Sequence, residues 1–256
     1  MNHGICKLCT QYKLLCDSHA IPNSLFNYIL RKSDGKAIIL TNDVKTPNRY
    51  SSDTWEVKLL CEDCEQLLNV SYDAYGIAVF RGHQGHPERG SSGITFRNID
   101  RKKLRMFFLS VLWRISVSTH SSYSNVDLPV HWEEELRESL LYKKAVPSNK
   151  YTVAISRMTD STVCNGFSNE DLRDLVASPF ARDFGSFISV CYLFLGFFVE
   201  TFLPKVPPKY SKRVGVLHGK SLIFLAPYIE LLDIPELVGV LGRALEKHDQ
   251  GLSTFA

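Results

Sequence analysis

The sequence contains no long uninterrupted apolar stretch. Its most apolar run, residues 187–203, is interrupted by Glu200, which leaves thirteen residues before the charge. A helix that crosses a bilayer needs roughly 20 apolar residues. We therefore expect core strands in this run, and no membrane partner.

The first residues lack the pattern of an export signal, and the number of cysteines is odd. The first ten residues show no basic flank followed by an apolar segment. The chain has seven cysteines, five of them before residue 65. A disulfide framework is therefore the weaker interpretation, and we expect a reduced, cytoplasmic protein.

The chain has little net charge, +3 at pH 7. A nucleic-acid partner must therefore be inferred from local clusters of cations. One cluster crowds the first turn of a helix predicted at residues 99–119, and the other lies in a proline-containing loop at residues 205–213. Two interpretations of these clusters stay open, namely a solvated face and a surface that contacts phosphate. The candidate phosphate contacts are Arg101, Lys102, Arg105, Lys209, Lys212 and Arg213.

The chain divides by composition into two predicted domains of an α+β protein. A cysteine-dense domain covers residues 1–80, a loop rich in glycine and serine covers 81–93, and the second domain covers 94–256. The second domain is predicted to be mainly helical with a few antiparallel strands. Its helices are expected at residues 99–119, at 130–144, after Ser168 and from Pro235. Its strands are expected at 151–158 and on both sides of Gly196.

Two cysteine pairs carry the strongest chemical signal. "CKLC" supplies Cys6 and Cys9, and "CEDC" supplies Cys61 and Cys64 at the start of a predicted helix. Two such pairs complete a tetrahedral zinc shell, and a knuckle combined with a pair at a helix start is typical of a treble clef. The alternative is a compact zinc finger, which would use Cys16 and His19 in place of the second pair.

"CKLC", "SHAIP" and "LLCEDCE", in that order, resemble the pattern of HNH endonucleases. The chain is most similar to a group of bacterial HNH-like proteins that share the SHxIP and LCxxCE elements and a later "SVLWR" helix. The motifs cover residues 1 to about 75, and residues 107–114 more loosely.

The resemblance implies a zinc-stabilised nuclease in which the two cysteine pairs hold structural zinc. His19 would be the general base that removes a proton from the attacking water. Glu65 and Asp73 would be possible ligands of a catalytic Mg²⁺ or Mn²⁺ ion. The expected partner is nucleic acid, DNA more than RNA.

The chain departs from the HNH pattern at several positions. Ser18 replaces the acid before the histidine, and the asparagine expected before Cys61 is missing. Glu65 follows the last cysteine, and Leu68 occupies the lysine position. These departures keep a second hypothesis open, namely a catalytically inactive zinc-binding module that binds nucleic acid or a partner protein.

Overall fold

The computed structural model describes residues 2–32, 37–39, 49–164, 166–218 and 221–252. The strands are β1 (His3–Ile5), β2 (Tyr12–His19), β3 (Ala37–Ile39), β4 (Arg49–Ser51), β5 (Glu56–Cys61), β6 (Glu88–Arg89), β7 (Gly93–Phe96), β8 (Thr152–Thr159), β9 (Phe180–Asp183), β10 (Ile188–Phe194), β11 (Phe197–Leu203) and β12 (Phe224–Glu230). The helices are α1 (Asn23–Lys32), α2 (Glu62–Leu68), α3 (Ala74–Phe80), α4 (Arg101–Val117), α5 (Val130–Leu141), α6 (Asp171–Asp174), α7 (Pro208–Ser211) and α8 (Pro235–Asp249). The fold is therefore mixed α+β, as predicted.

A small antiparallel sheet, in the order β1-β2-β5, carries the cysteine pairs. The first pair lies in the turn between β1 and β2. The second pair lies where β5 ends and α2 begins, with Cys61 as the N-cap residue of the helix. Pairing of β2 with β5 places His19 opposite Glu56. The sheet thus holds both motif segments, although more than 40 residues separate them in the chain.

A seven-stranded sheet, in the order β6-β7-β12-β8-β11-β10-β9, forms the rest of the scaffold. Its neighbouring strands are antiparallel, except that β12 pairs with β8 in parallel. The apolar run forms the hairpin β10–β11, as predicted, and Gly196 lies in its turn with a φ of +77°. A positive φ suits glycine, which has no Cβ.

Helix α4 passes through the centre of the molecule. Asp100 caps it by accepting hydrogen bonds from the amides of Lys102 and Lys103, both at 3.0 Å. Residues 104–115 of the helix are all buried, which is expected of a helix surrounded by protein on every side. The main cluster of buried side chains extends from Cys6 to Ala226 and includes residues of this helix. The proposed boundary between domains at residues 81–93 stays a prediction.

The structure adds strands that were not expected in the second half. Strands β7, β9 and β12 join the predicted strands in the seven-stranded sheet. They escape prediction because a short strand such as β9 gives little periodicity and Pro227 lies inside β12. The expected loop at residues 81–93 also contains β6 and the first residue of β7. Among the helices of the described ranges, none has the length and apolarity that a bilayer crossing demands.

Candidate metal centre and the histidine beside it

The four cysteines of the two pairs converge. Their Sγ atoms all lie within 4.8 Å of one another. Cys6, Cys61 and Cys64 are buried, and Cys9 is half-buried. The knuckle is closed by a 2.9 Å hydrogen bond from the Thr10 amide to the Cys6 carbonyl, with Thr10 at a φ of +60°.

The spacing of the sulfur atoms suits a metal ion. The Sγ atoms of Cys9 and Cys61 lie 3.9 Å apart, far longer than a disulfide of about 2.05 Å. Two thiolates at about 2.3 Å from one tetrahedral ion would lie about 3.8 Å apart. The four cysteines can therefore hold a metal ion such as zinc.

Burial disfavours the thiolate form of these cysteines. Burial raises the pKa of the Cys61 and Cys64 thiols, whereas backbone hydrogen bonds lower the pKa of the Cys6 thiol despite its burial. Metal ligation requires thiolates. A divalent ion would supply the positive charge that makes four closely spaced thiolates compatible with burial.

The compact-finger alternative does not describe the observed cluster. Cys16 is half-buried on β2, and neither Cys16 nor His19 belongs to the group of mutually close ligands. The described residues contain one such group, formed by the two C-x-x-C pairs.

His19 ends β2 and faces β5 rather than the cysteines. Its Nε2 lies 3.0 Å from Thr54 Oγ1 and 3.6 Å from Glu56 Oε2, and its side chain is 11% exposed. Burial lowers the pKa of the imidazole, opposed by the charge of Glu56 and assisted by that of Arg114. The ring is therefore mainly neutral at pH 7, which is the form that accepts a proton.

Asp73, one of the two acids predicted to bind a catalytic metal ion, is paired with an arginine. Its carboxylate is buried and accepts two hydrogen bonds from Arg114, at 2.8 and 2.6 Å. Its predicted role as a metal ligand remains untested, but in this arrangement both oxygen atoms are used by the ion pair.

Glu65 lies on α2 in a largely enclosed position. Burial raises the pKa of its carboxyl group, although the Ser18 hydroxyl and the charge of Arg114 work in the opposite direction. Within the described part of the chain, no hydrogen-bond partner reaches its Oε1. The charged groups that act on its carboxyl group are Arg114 and Asp73.

Sequence reasoning missed Thr54, Glu56 and the role of Arg114. Thr54 and Glu56 contact the His19 ring because β5 pairs with β2. The register of that pairing cannot be predicted from the sequence, because more than 30 residues separate the two strands. Arg114 donates to the His19 carbonyl at 3.2 Å. The "SVLWR" element noted in the sequence contains this arginine, so its presence was the available signal.

The six predicted phosphate contacts fall into two groups. Lys102, Lys209 and Lys212 are exposed. The three arginines are engaged within the protein: Arg101 donates to the His218 and Ile223 carbonyls, buried Arg105 to the Tyr151 and Val146 carbonyls, and Arg213 to Glu200. The three lysines are therefore the most exposed of the six, whereas Arg101 and Arg213 are half-buried and Arg105 is buried.

Comparison of the chain with protein-family models, with curated proteins and with solved structures gives no match in any of the three. The case for a function therefore rests on the residues of the site itself.

Proposed function

We propose that the protein is a zinc-stabilised, HNH-like nuclease that hydrolyses phosphodiester bonds, with His19 as the general base. The observation that carries this proposal is the position of the His19 ring, whose Nε2 lies 3.6 Å from Glu56 Oε2 on the sheet that holds the cysteine pairs. The resemblance of "CKLC", "SHAIP" and "LLCEDCE" to the HNH pattern supports it.

In this proposal the four cysteines hold zinc and take no part in the reaction. The zinc would connect the turn after β1 to the start of α2 and so support the strand that carries His19. The imidazole would accept a proton from a water molecule as that water attacks phosphorus. Thr54 and Glu56 would hold the ring in one orientation.

A catalytic Mg²⁺ or Mn²⁺ ion would have few protein ligands at this site. Among the described residues, no group of three acids or histidines lies close enough together to form a preassembled second site. Magnesium is commonly bound by one or two carboxylates together with substrate phosphates, and Glu56 is the carboxylate closest to the His19 ring. When bound, such an ion would stabilise negative charge on the phosphate.

The test is cleavage of plasmid and of single- and double-stranded oligonucleotides by zinc-loaded protein with Mg²⁺ or Mn²⁺. We expect His19→Ala to reduce the cleavage rate by about 100-fold or more, the usual contribution of a general base, without loss of zinc. His3→Ala is the matched control, because His3 is an exposed histidine of the same small sheet. Equal cleavage by wild type and His19→Ala would eliminate the assignment.

One observation favours the second candidate, a zinc-stabilised binding module without turnover. Of the acids expected to bind a catalytic ion, Asp73 has both oxygen atoms engaged by Arg114, and Glu65 is largely enclosed. This module would bind nucleic acid through exposed lysines such as Lys209 and Lys212, or would bind a partner protein.

Binding to labelled DNA and RNA at several salt concentrations tests this candidate. For double-stranded DNA, each lost phosphate contact reduces the slope of log K against log salt by about 0.9. We expect Lys209→Ala with Lys212→Ala to reduce it, and Lys143→Ala with Lys144→Ala, exposed lysines after α5, to leave it unchanged. Equal slopes in all three proteins would remove Lys209 and Lys212 from the interface.

A further inference from the structure

Arg114 is a fully enclosed arginine that touches the backbone of the candidate base. It is 2% exposed, on the central helix α4. Its Nη1 donates to the His19 carbonyl at 3.2 Å and to Asp73 Oδ2 at 2.8 Å, and its Nη2 donates to Asp73 Oδ1 at 2.6 Å. Its Nε donates to the Ser110 carbonyl at 3.3 Å. Each nitrogen of the guanidinium is therefore engaged.

We propose that Arg114, held by Asp73, is the positioning residue that fixes the end of β2 and thereby the imidazole of His19. The inference rests on the function proposed above and adds a residue to it. Arg114 does not touch the ring, which faces Thr54 and Glu56. Arg114 instead acts through the His19 carbonyl group, which is bonded to the Cα that carries the imidazole side chain.

The geometry requires the flat fork of an arginine. Two parallel hydrogen bonds to one carboxylate orient the guanidinium, and the remaining donors then point in fixed directions. One of these directions reaches the carbonyl of His19. A lysine keeps the charge but has a single, mobile ammonium group that cannot reproduce this arrangement.

Asp73 reaches Arg114 because the helical segment after Cys64 is irregular. Between α2 and α3, residues Asn69–Asp73 form a π-helical turn, and Tyr72 and Asp73 in that turn are buried. Such turns insert one extra residue and are frequent at functional sites. The segment that begins at the second cysteine pair and the strand that ends at His19 therefore meet at one guanidinium.

Glu65, the other carboxyl group that acts on Arg114, does not replace Asp73. It also interacts with Arg114 electrostatically, but Asp73 makes the stronger favourable interaction. The Asp73–Arg114 pair crosses from the π-helical turn to α4 and is enclosed on both sides, with side chains 9% and 2% exposed. The arrangement is thus a rigid connection and not a loose surface pair.

The test uses full-length, zinc-loaded protein with Arg114→Lys and Asp73→Asn. Arg157→Lys is the matched control, because Arg157 is also buried and donates to two carbonyls, those of Leu195 and Asn169, without touching His19. The readouts are the His19 ring resonances across a pH titration, zinc content, and kcat separately from KM. A purely structural role would lower stability in all three variants and leave the His19 resonances unchanged.

We expect Arg114→Lys to lower kcat by about 100-fold, as a displacement of about 1 Å can, with little change in KM and with altered His19 ring resonances. Asp73→Asn should act in the same direction, and it decides the question if Arg114→Lys does not fold. The Arg157 variant should keep wild-type resonances and kcat. Unchanged His19 resonances and kcat in folded Arg114→Lys or Asp73→Asn would overturn the proposal.

The resonances separate this inference from the proposed function. If wild-type protein cleaves no substrate, the nuclease proposal fails, yet the ring resonances still report whether Arg114 positions His19. If wild type cleaves and His19→Ala does not, but Arg114→Lys behaves as wild type, only the positioning role fails.

Discussion

The small sheet that carries the cysteines and the seven-stranded sheet are stabilised in different ways. The small sheet leaves large apolar side chains in water, with Ile5 63%, Tyr12 72% and Leu14 50% exposed. In the large sheet, by contrast, all seven residues of β11 are buried. A small unit that buries so little usually needs a metal or another cross-link. The comparison indicates that the small sheet depends on its four cysteines, whereas the large sheet depends on packing.

Both regions nevertheless bury a carboxylate against arginine. Asp73 pairs with Arg114, and Glu200 on β11 lies between Arg182 and Arg213. The partners differ in exposure, since Arg114 is 2% exposed while Arg182 and Arg213 are 23% and 33% exposed. Water can therefore reach the ionic cluster of the large sheet, but hardly the Asp73–Arg114 pair, which contacts the small sheet at the His19 carbonyl.

The largest expected effect comes from removing a cysteine of the cluster. Structural zinc contributes roughly 10–16 kcal/mol in zinc-finger peptides, so Cys61→Ser should release the metal and unfold the small sheet. Hydrogen exchange should then show fast exchange in β1, β2 and α2, with β10 and β11 still protected. Metal analysis should show less than one zinc per chain.

Cys164→Ser is the control for the cysteine experiment, because Cys164 is exposed and outside the cluster. It should keep both zinc and the exchange pattern of wild type. If Cys61→Ser retained a full zinc equivalent and a protected small sheet, the division between a metal-dependent and a packing-dependent region would be wrong.

The second prediction compares the two buried carboxylates. Breaking a buried ion pair by removing one partner typically costs about 3–5 kcal/mol, because the other charge stays buried. We expect Asp73→Ala to reach this range in chemical denaturation. Glu200→Ala should cost less, because its arginine partners can turn to solvent. Equal losses would show that exposure of the partner does not set the difference.

The third prediction concerns the contact between α3 and α4, where the two regions join. A Cβ on Gly76 would lie 2.2 Å from the Phe107 ring, and Phe107 packs edge-on against Phe194 of β10, with ring centroids 5.3 Å apart. Overpacking of this kind costs about 1–3 kcal/mol, so Gly76→Ala should lower the free energy of unfolding by that amount.

Gly242→Ala on α8 is the matched control for Gly76→Ala. A Cβ there would meet nothing within 4 Å, and alanine in a helix is favoured over glycine by about 0.5–1 kcal/mol. The two substitutions should therefore change stability in opposite directions. Denaturation curves in which both are neutral would mean that α3 can move away from α4 freely.

Much of the fold and part of the site could be predicted from the sequence. The pairing of Cys6 and Cys9 with Cys61 and Cys64, the hairpin around Gly196 and the helix from Pro235 all follow local rules of spacing and turn chemistry. The helix expected after Ser168 is also present, and Ser168 and Asp171 exchange hydrogen bonds of 2.8 and 3.1 Å at its start.

What could not be predicted depends on contacts between distant segments. Glu56 meets His19 only through the register of β5 on β2. Asp73 is buried within the π-helical turn, which no local pattern predicts, and its partner lies 41 residues further along the chain. The short strands of the large sheet form because they pair with neighbouring strands, and they are too short to show an alternating pattern of apolar and polar residues.

The smallest predicted effect is a pH dependence that belongs to the small sheet. Burial lowers the pKa of His19 in the folded protein, with Glu56, Asp17 and Asp53 opposing this shift and Arg114 adding to it. The unfolded chain should have the ordinary histidine value of about 6.5. Between the two values the unfolded state binds more protons than the folded state, so the free energy of unfolding must fall as the pH falls. The contribution of His19 is therefore present above about pH 6.5 and is lost as the pH decreases through the folded pKa.

His19→Gln should flatten this part of the stability curve, measured by urea denaturation from pH 7.5 to 5. His3→Gln is the control for the loss of a histidine from the same sheet. A His19→Gln curve parallel to wild type throughout that range would show that the imidazole is no less solvated in the folded protein than in the unfolded chain. In that case its neutral form, on which the nuclease proposal depends, would not be favoured by the fold.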